Sequence, residues 1–128
     1  MKLFHYTCRH SLSGLKLDGR LLPHAHPLMP DTEPMVHLTD LDYPMRDALG
    51  LTSRIIRCDR TEFRVVVETD AAVHWPVFAR TIPRSARVEL ESAEGARPIH
   101  WYIATVPVPI VCWEPVGGRP AEQYRRPR

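Results

Sequence analysis

The sequence predicts a single α+β domain in which short helices surround a mixed β-sheet. Three observations point that way. The 128 residues fit one domain, for which about 100–200 is usual. Short β-rich runs alternate with short segments of helical spacing, the pattern of a sheet with helices packed around it. Thirteen prolines argue for short elements and long loops, and against a helical bundle.

The elements follow in chain order. Leu3-Phe4-His5-Tyr6-Thr7-Cys8 is aromatic and β-rich and reads as the opening strand. Ser11 offers a cap for a helix of one to two turns with Leu12, Leu15 and Leu17 as its apolar stripe, and Gly19 stops it. A proline-rich loop spans Arg20 to Pro34, long enough to suggest a functional or mobile segment. Met35 to Thr39 reads as a second strand, and a short helix starts near Asp42-Tyr43-Pro44 and ends at Gly50. Ile55 to Cys58 fits a short strand, and Phe63 to Glu68, continuous and β-branched, fits the strongest strand in the chain. Val73 to Arg80 fits a helix begun or interrupted at Pro76. Arg84 to Ala93 fits a helix through Ala86, Leu90 and Ala93, or a strand through Val88 and Leu90. Trp101 to Thr105 and Val108 to Trp113 close the domain as strands. The domain is expected over 1–114, with a Pro/Gly/Arg-rich tail over 115–128.

Composition narrows the function classes. The net charge is +2, a weaker basic bias than dedicated nucleic-acid binders carry. Arg119, Arg125, Arg126 and Arg128 crowd the last ten positions, so the folded part is closer to neutral. Cys8, Cys58 and Cys112 form no CxxC pair, which favours reduced thiols over a disulfide framework. No apolar stretch of signal-peptide or membrane-span length is present. A cytoplasmic protein without a membrane partner is the expectation.

Two His-x-Thr strands carry the chemistry. Alternate side chains share a face of a strand, so His5 and Thr7 point one way and Tyr6 the other. His37 and Thr39 repeat the pattern on the second strand. Were the strands neighbours, the four groups could converge on one crevice and grip ribose hydroxyls and a carboxamide. The alternative is two unrelated, satisfied pairs.

These residues also carry a likeness. Leu3-Phe4-His5-Tyr6-Thr7, a helix, Gly19, a loop and Val36-His37-Leu38-Thr39-Asp40 resemble the opening of the ADP-ribosyltransferase superfamily. The order is most similar to the tRNA 2′-phosphotransferases and to the DNA-targeting ADP-ribosyltransferase toxins, and the closing Trp101-Tyr102-Ile103 with Val106-Pro107-Val108-Pro109 is similar to the last strands of the former. The resemblance covers residues 3–40 well and 98–110 loosely. It implies NAD as the cofactor, a nucleic acid or protein as the acceptor, and a split sheet whose first strand, His5-Tyr6-Thr7, binds NAD. It implies that His5 bonds a ribose and Thr7 supports that strand's contacts. It places His37 where many relatives carry a tyrosine lining the nicotinamide pocket, with Thr39 after it. Tyr43 falls where a ring could stack on nicotinamide, or pack.

The chain departs from the family at the late strand. Many relatives place a glutamate there, and this sequence reads Pro98-Ile99-His100-Trp101. Glu33-Pro34-Met35 stands where the phosphotransferases carry an arginine, and no N-terminal RNA-binding lobe precedes the likeness, which argues against removal of an RNA 2′-phosphate. Positioning and electrostatics can break the nicotinamide–ribose bond without a protein nucleophile. His5 and His37 are then the candidate catalytic residues, with His100 as the base for the acceptor. A noncatalytic domain binding a nucleotide, nucleic acid or protein is the alternative class.

Other candidates are weaker. His24-x-His26 with Asp31 and Glu33 lacks metal-ligand spacing, and no metal is expected. Cys8 beside Arg9 and His10 reads as structural in the absence of a Cys/His/Asn order. Trp75, Trp101 and Trp113 read as core or groove aromatics.

Overall fold

The computed structural model describes residues 1–26, 29–42, 63–93 and 95–116. The helix expected from Asp42 to Gly50, the strand at Ile55–Cys58, Tyr43 and most of the tail lie outside the described residues. In order come β1 (Lys2–Thr7), α1 (Arg9–Asp18), β2 (Arg20–Leu21), β3 (Val36–Thr39), β4 (Phe63–Glu68), β5 (Val73–His74), α2 (Trp75–Phe78), α3 (Arg84–Glu91), β6 (Trp101–Ala104) and β7 (Val108–Pro115). Short 3-10 turns occupy Ala79–Thr81 and Pro98–His100.

The seven strands form one sheet in the order β2-β7-β4-β1-β3-β6-β5. Every registered pair in it is antiparallel, which corrects the expected mixed sheet. β1 registers with β4 along its whole length, Lys2↔Glu68 to Thr7↔Phe63. With β3 it shares one registered pair, Phe4↔Thr39, whereas β3 runs with β6 from Val36↔Ala104 to Thr39↔Trp101. The sheet is thus two well-laddered parts joined at a narrow seam between β1 and β3.

Period-two alternation divides the side chains between the faces. On one face Leu3, Val36, Leu38, Val65, Val67, Ala104 and Val108 form a core with Leu12 of α1 and Leu21 of β2. On the other, Ile103 packs with Met29, Met35, Trp75, Ala79 and Ala86, and Phe4 packs with Tyr6, Val66 and Val116. α1 therefore covers one face, and α2 and α3 cover the other around β6. Burial of Val116 carries packing two residues past the expected edge of the domain at 114.

Several local expectations are corrected. α1 begins three residues earlier than its leucine stripe suggested, with Cys8 rather than Ser11 at its N-cap, and it runs for ten residues. Leu12 is buried and Leu15 half-buried, but Leu17 is 89% exposed, because only the first two share the face turned to the sheet. Gly19 does end the helix, in the left-handed conformation at φ 68, its N–H bonded to the Leu15 carbonyl. Val73 to Arg80 splits: Val73–His74 pair with β6, and Pro76 sits in the first turn of α2. Among the described residues no helix is long and apolar enough to cross a membrane.

Candidate functional site

The seam between β1 and β3 is built by His5. Its Nδ1 donates to the His37 carbonyl at 2.7 Å, so a side chain supplies a donor to β3 just beyond the last registered pair of the two strands. Half-burial keeps the ring in reach of the surface. The two histidines nevertheless leave opposite faces of the sheet. Phe4 faces with Thr39, so alternation puts His37 and Thr39 on the Phe4 side and His5 and Thr7 on the Leu38 side. The expected convergence of four His-x-Thr groups on one crevice is corrected: only His5 and His37 are linked, through the His37 carbonyl.

The other members of the two pairs are committed locally. Thr7 is buried. Thr39 is buried too, its Oγ1 accepting the Leu41 N–H at 3.1 Å. Tyr6 is buried in the Phe4 cluster and its hydroxyl donates to the Leu41 carbonyl at 3.0 Å. Burial, outweighing the nearby Arg64, pushes the Tyr6 phenol well above its ordinary pKa and keeps it a neutral donor. Arg64 in turn bonds Glu114 across β4 and β7 and the Asp42 carbonyl.

On its own face His37 meets His26, ring centroids 5.4 Å apart. The bridges His24↔Met35 and His26↔Met29 fold the proline-rich loop back to bring that ring in. Crowding by protein atoms lowers the His37 pKa, and the His26 and His5 imidazoles lower it further. His37 is nonetheless an exposed residue by surface area. Solvent on its open edge tempers the desolvation, and the downward direction stands on the facing imidazoles as well. His26 is lowered by burial. This wall is therefore neutral near pH 7. Among the described residues no three His, Cys, Asp or Glu side chains stand where they could share a metal ion.

A second group lies on the His5 face, where β3 and β6 end. Asp40 and His100 follow the last registered pair, Thr39↔Trp101, and the Asp40 N–H donates to the His100 carbonyl at 3.3 Å. Their side chains therefore fall together, and His100 Nδ1 sits 2.7 Å from Asp40 Oδ1. Asp40 Oδ2 lies 3.5 Å from the Tyr102 hydroxyl. Tyr102 stacks on His74 at 4.8 Å, and His74 Nε2 donates to the Ile99 carbonyl at 2.6 Å. Desolvation and then the Asp40 carboxylate raise the Tyr102 pKa, so the phenol stays protonated.

Register connects these parts. One row on one face runs His74, Tyr102, Leu38, His5, Val65 and Trp113 across β5, β6, β3, β1, β4 and β7. Leu38 and Val65 in its middle belong to the core that Leu12 joins. Beyond Val65 a recess of about 350 Å³ opens between α1 and β7, lined by Leu15, Lys16, Gly19, Ile110 and Trp113, with Lys16 Nζ 3.8 Å over the Trp113 ring.

Comparison of the chain with protein-family models, with curated proteins and with solved structures finds no match. The site must be read from its own geometry.

His5 and His100 thus share a face of the sheet, and His37 does not share it with them. Asp40 was legible only as part of a motif, and His74 and Tyr102 carried no sequence signal of their own. The signal that could have found Asp40 is a carboxylate one residue past a short strand, where a neighbouring strand's end can meet it.

Proposed function

We propose that the chain is an NAD-dependent transferase that moves ADP-ribose to a nucleic acid or protein acceptor, on a scaffold related to the ADP-ribosyltransferases. The observation that carries this reading is His5 at the seam: an imidazole locked by Nδ1 where two parts of the sheet are joined by one registered pair. A ring fixed in that way can hold a ribose without losing side-chain freedom on binding. The recess beside Trp113 is of the volume of small-ligand sites, about 300–1,000 Å³, and lies two strands from His5. His100 supplies a side chain able to accept a proton on the same face.

NAD brings the bond to be broken, between the ribose C1′ and nicotinamide. The chain's part is to hold the sugar and take the acceptor's proton. The test is release of free nicotinamide from NAD by the purified protein. It is expected from the unsubstituted chain and expected to drop by about 100-fold or more in His5→Ala, as loss of a positioning contact does. No release under any acceptor condition counts against the reading.

A second reading keeps the scaffold without the chemistry. The head of β6, Pro98-Ile99-His100, holds no carboxylate of its own, which favours a noncatalytic nucleotide-binding domain. NAD binding without nicotinamide release, across varied acceptors, selects it.

A further inference from the structure

Resting on the transferase reading, we propose that Asp40 is a positioning residue that sets His100 as the proton acceptor, and that the acceptor group is a neutral hydroxyl or amide N–H. The argument starts from the carboxylate. An exposed ion pair contributes little to stability and needs no further support. Asp40 has more. Its two oxygens address different partners, Oδ1 the His100 ring and Oδ2 the Tyr102 hydroxyl, while its own N–H holds the His100 carbonyl. The turn bearing His100 is tied again through His74, which donates to the Ile99 carbonyl and stacks on Tyr102. The ring orientation is therefore fixed from both strands and from the turn.

Chemistry follows from that orientation. An ionised carboxylate only accepts, so the proton of a neutral His100 sits on Nδ1 and the lone pair sits on Nε2. The side chains are 25% and 34% exposed, open enough to meet a group carried by a macromolecule. In the transfer, the C1′–nitrogen bond breaks and its electron pair leaves with nicotinamide. The acceptor's oxygen or nitrogen forms the new bond to C1′, and its proton passes to Nε2 and then to water. Charge and atoms balance with no oxidant or reductant. An acceptor that is already an anion, such as a carboxylate, has no proton to give and makes no use of the dyad. The groups facing His100 are Asp40, just after β3, and, behind it, Tyr102 and His74 from β6 and β5.

The experiment uses the full chain, NAD as donor, and water and added methanol as the hydroxyl acceptors. We expect Asp40→Asn to lower kcat for nicotinamide release by roughly 10- to 100-fold with KM for NAD nearly unchanged, and Asp40→Glu to recover part of it. His100→Ala is expected to lose about 100-fold and to regain rate when imidazole is supplied. Nitrogen-15 NMR of His100 is expected to show the Nδ1–H tautomer in the unsubstituted chain and loss of that preference in Asp40→Asn. Equal rates in the unsubstituted, Asp40→Asn and His100→Ala chains, or an unchanged tautomer in Asp40→Asn, overturn this proposal and leave the transferase reading standing. Absence of nicotinamide release from the unsubstituted chain overturns both. Should Asp40→Asn not fold, imidazole rescue of His100→Ala decides alone: rescue supports the base, and its failure overturns it.

Discussion

A single hydrogen bond, from His5 Nδ1 to the His37 carbonyl, gives the seam its donor. Buried or half-buried carbonyls need such partners, and a ring can supply one where a neighbouring strand does not. On the other face the His37 ring meets His26, and its lowered pKa has a consequence for stability. Above the ordinary histidine pKa of 6.5, His37 is neutral in both the folded and the unfolded chain, and pH has no leverage through it. Below that value the unfolded chain binds a proton that the folded ring, with its lowered pKa, resists binding. The unfolded state then carries more protons, so stability falls as pH falls. Urea melts from about pH 7 to about pH 5 should therefore show an acid limb that His37→Gln flattens. An equally steep limb in His37→Gln would mean that this ring does not titrate against the fold. His26, lowered by burial, keeps part of the slope in either case.

The elements divide into those whose signal is local and those set by packing. β4 shows in Val65-Val66-Val67, all buried, and the end of α1 shows in Gly19. At φ 68 any L side chain there is strained, although an added Cβ meets nothing within 4 Å. Gly19→Ala should thus cost about 1–2 kcal/mol by backbone strain alone, read as a lower urea midpoint with an unchanged slope. A midpoint equal to that of the parent would show that the turn relaxes. Leu17 illustrates the other class. Its apolar side chain suggested a stripe that its angle around the helix denies, since Leu12 and Leu15 face the sheet and Leu17 does not. β5 was hidden as well: Val73-His74 is too short to declare itself and exists because β6 pairs with it.

Across the whole molecule, what the sequence could not show is register. Alternation assigns His5 and Thr7 to one face of β1, and His37 and Thr39 to one face of β3, and both assignments hold. Whether those faces coincide depends on how the strands align, and a shift of one residue exchanges them. Phe4↔Thr39 settles it against a shared crevice for His5 and His37. The same register assembles a row no local pattern contains, from His74 through His5 to Trp113, with Asp40 and His100 beside it. The order β2-β7-β4-β1-β3-β6-β5 draws neighbours from distant parts of the chain, so long-range pairing, and not propensity, places the candidate site. The antiparallel pairing throughout has the same origin.

The transferase account stands on NAD engaging the seam at His5, and thermal unfolding with and without NAD tests this most directly. A ligand that binds only the folded state at about 100 times its Kd adds about 2.7 kcal/mol. Millimolar NAD should therefore raise the Tm of the unsubstituted chain by several degrees and leave that of His5→Ala where it was. An unsubstituted chain whose Tm ignores NAD, or a His5→Ala chain that responds equally, contradicts it.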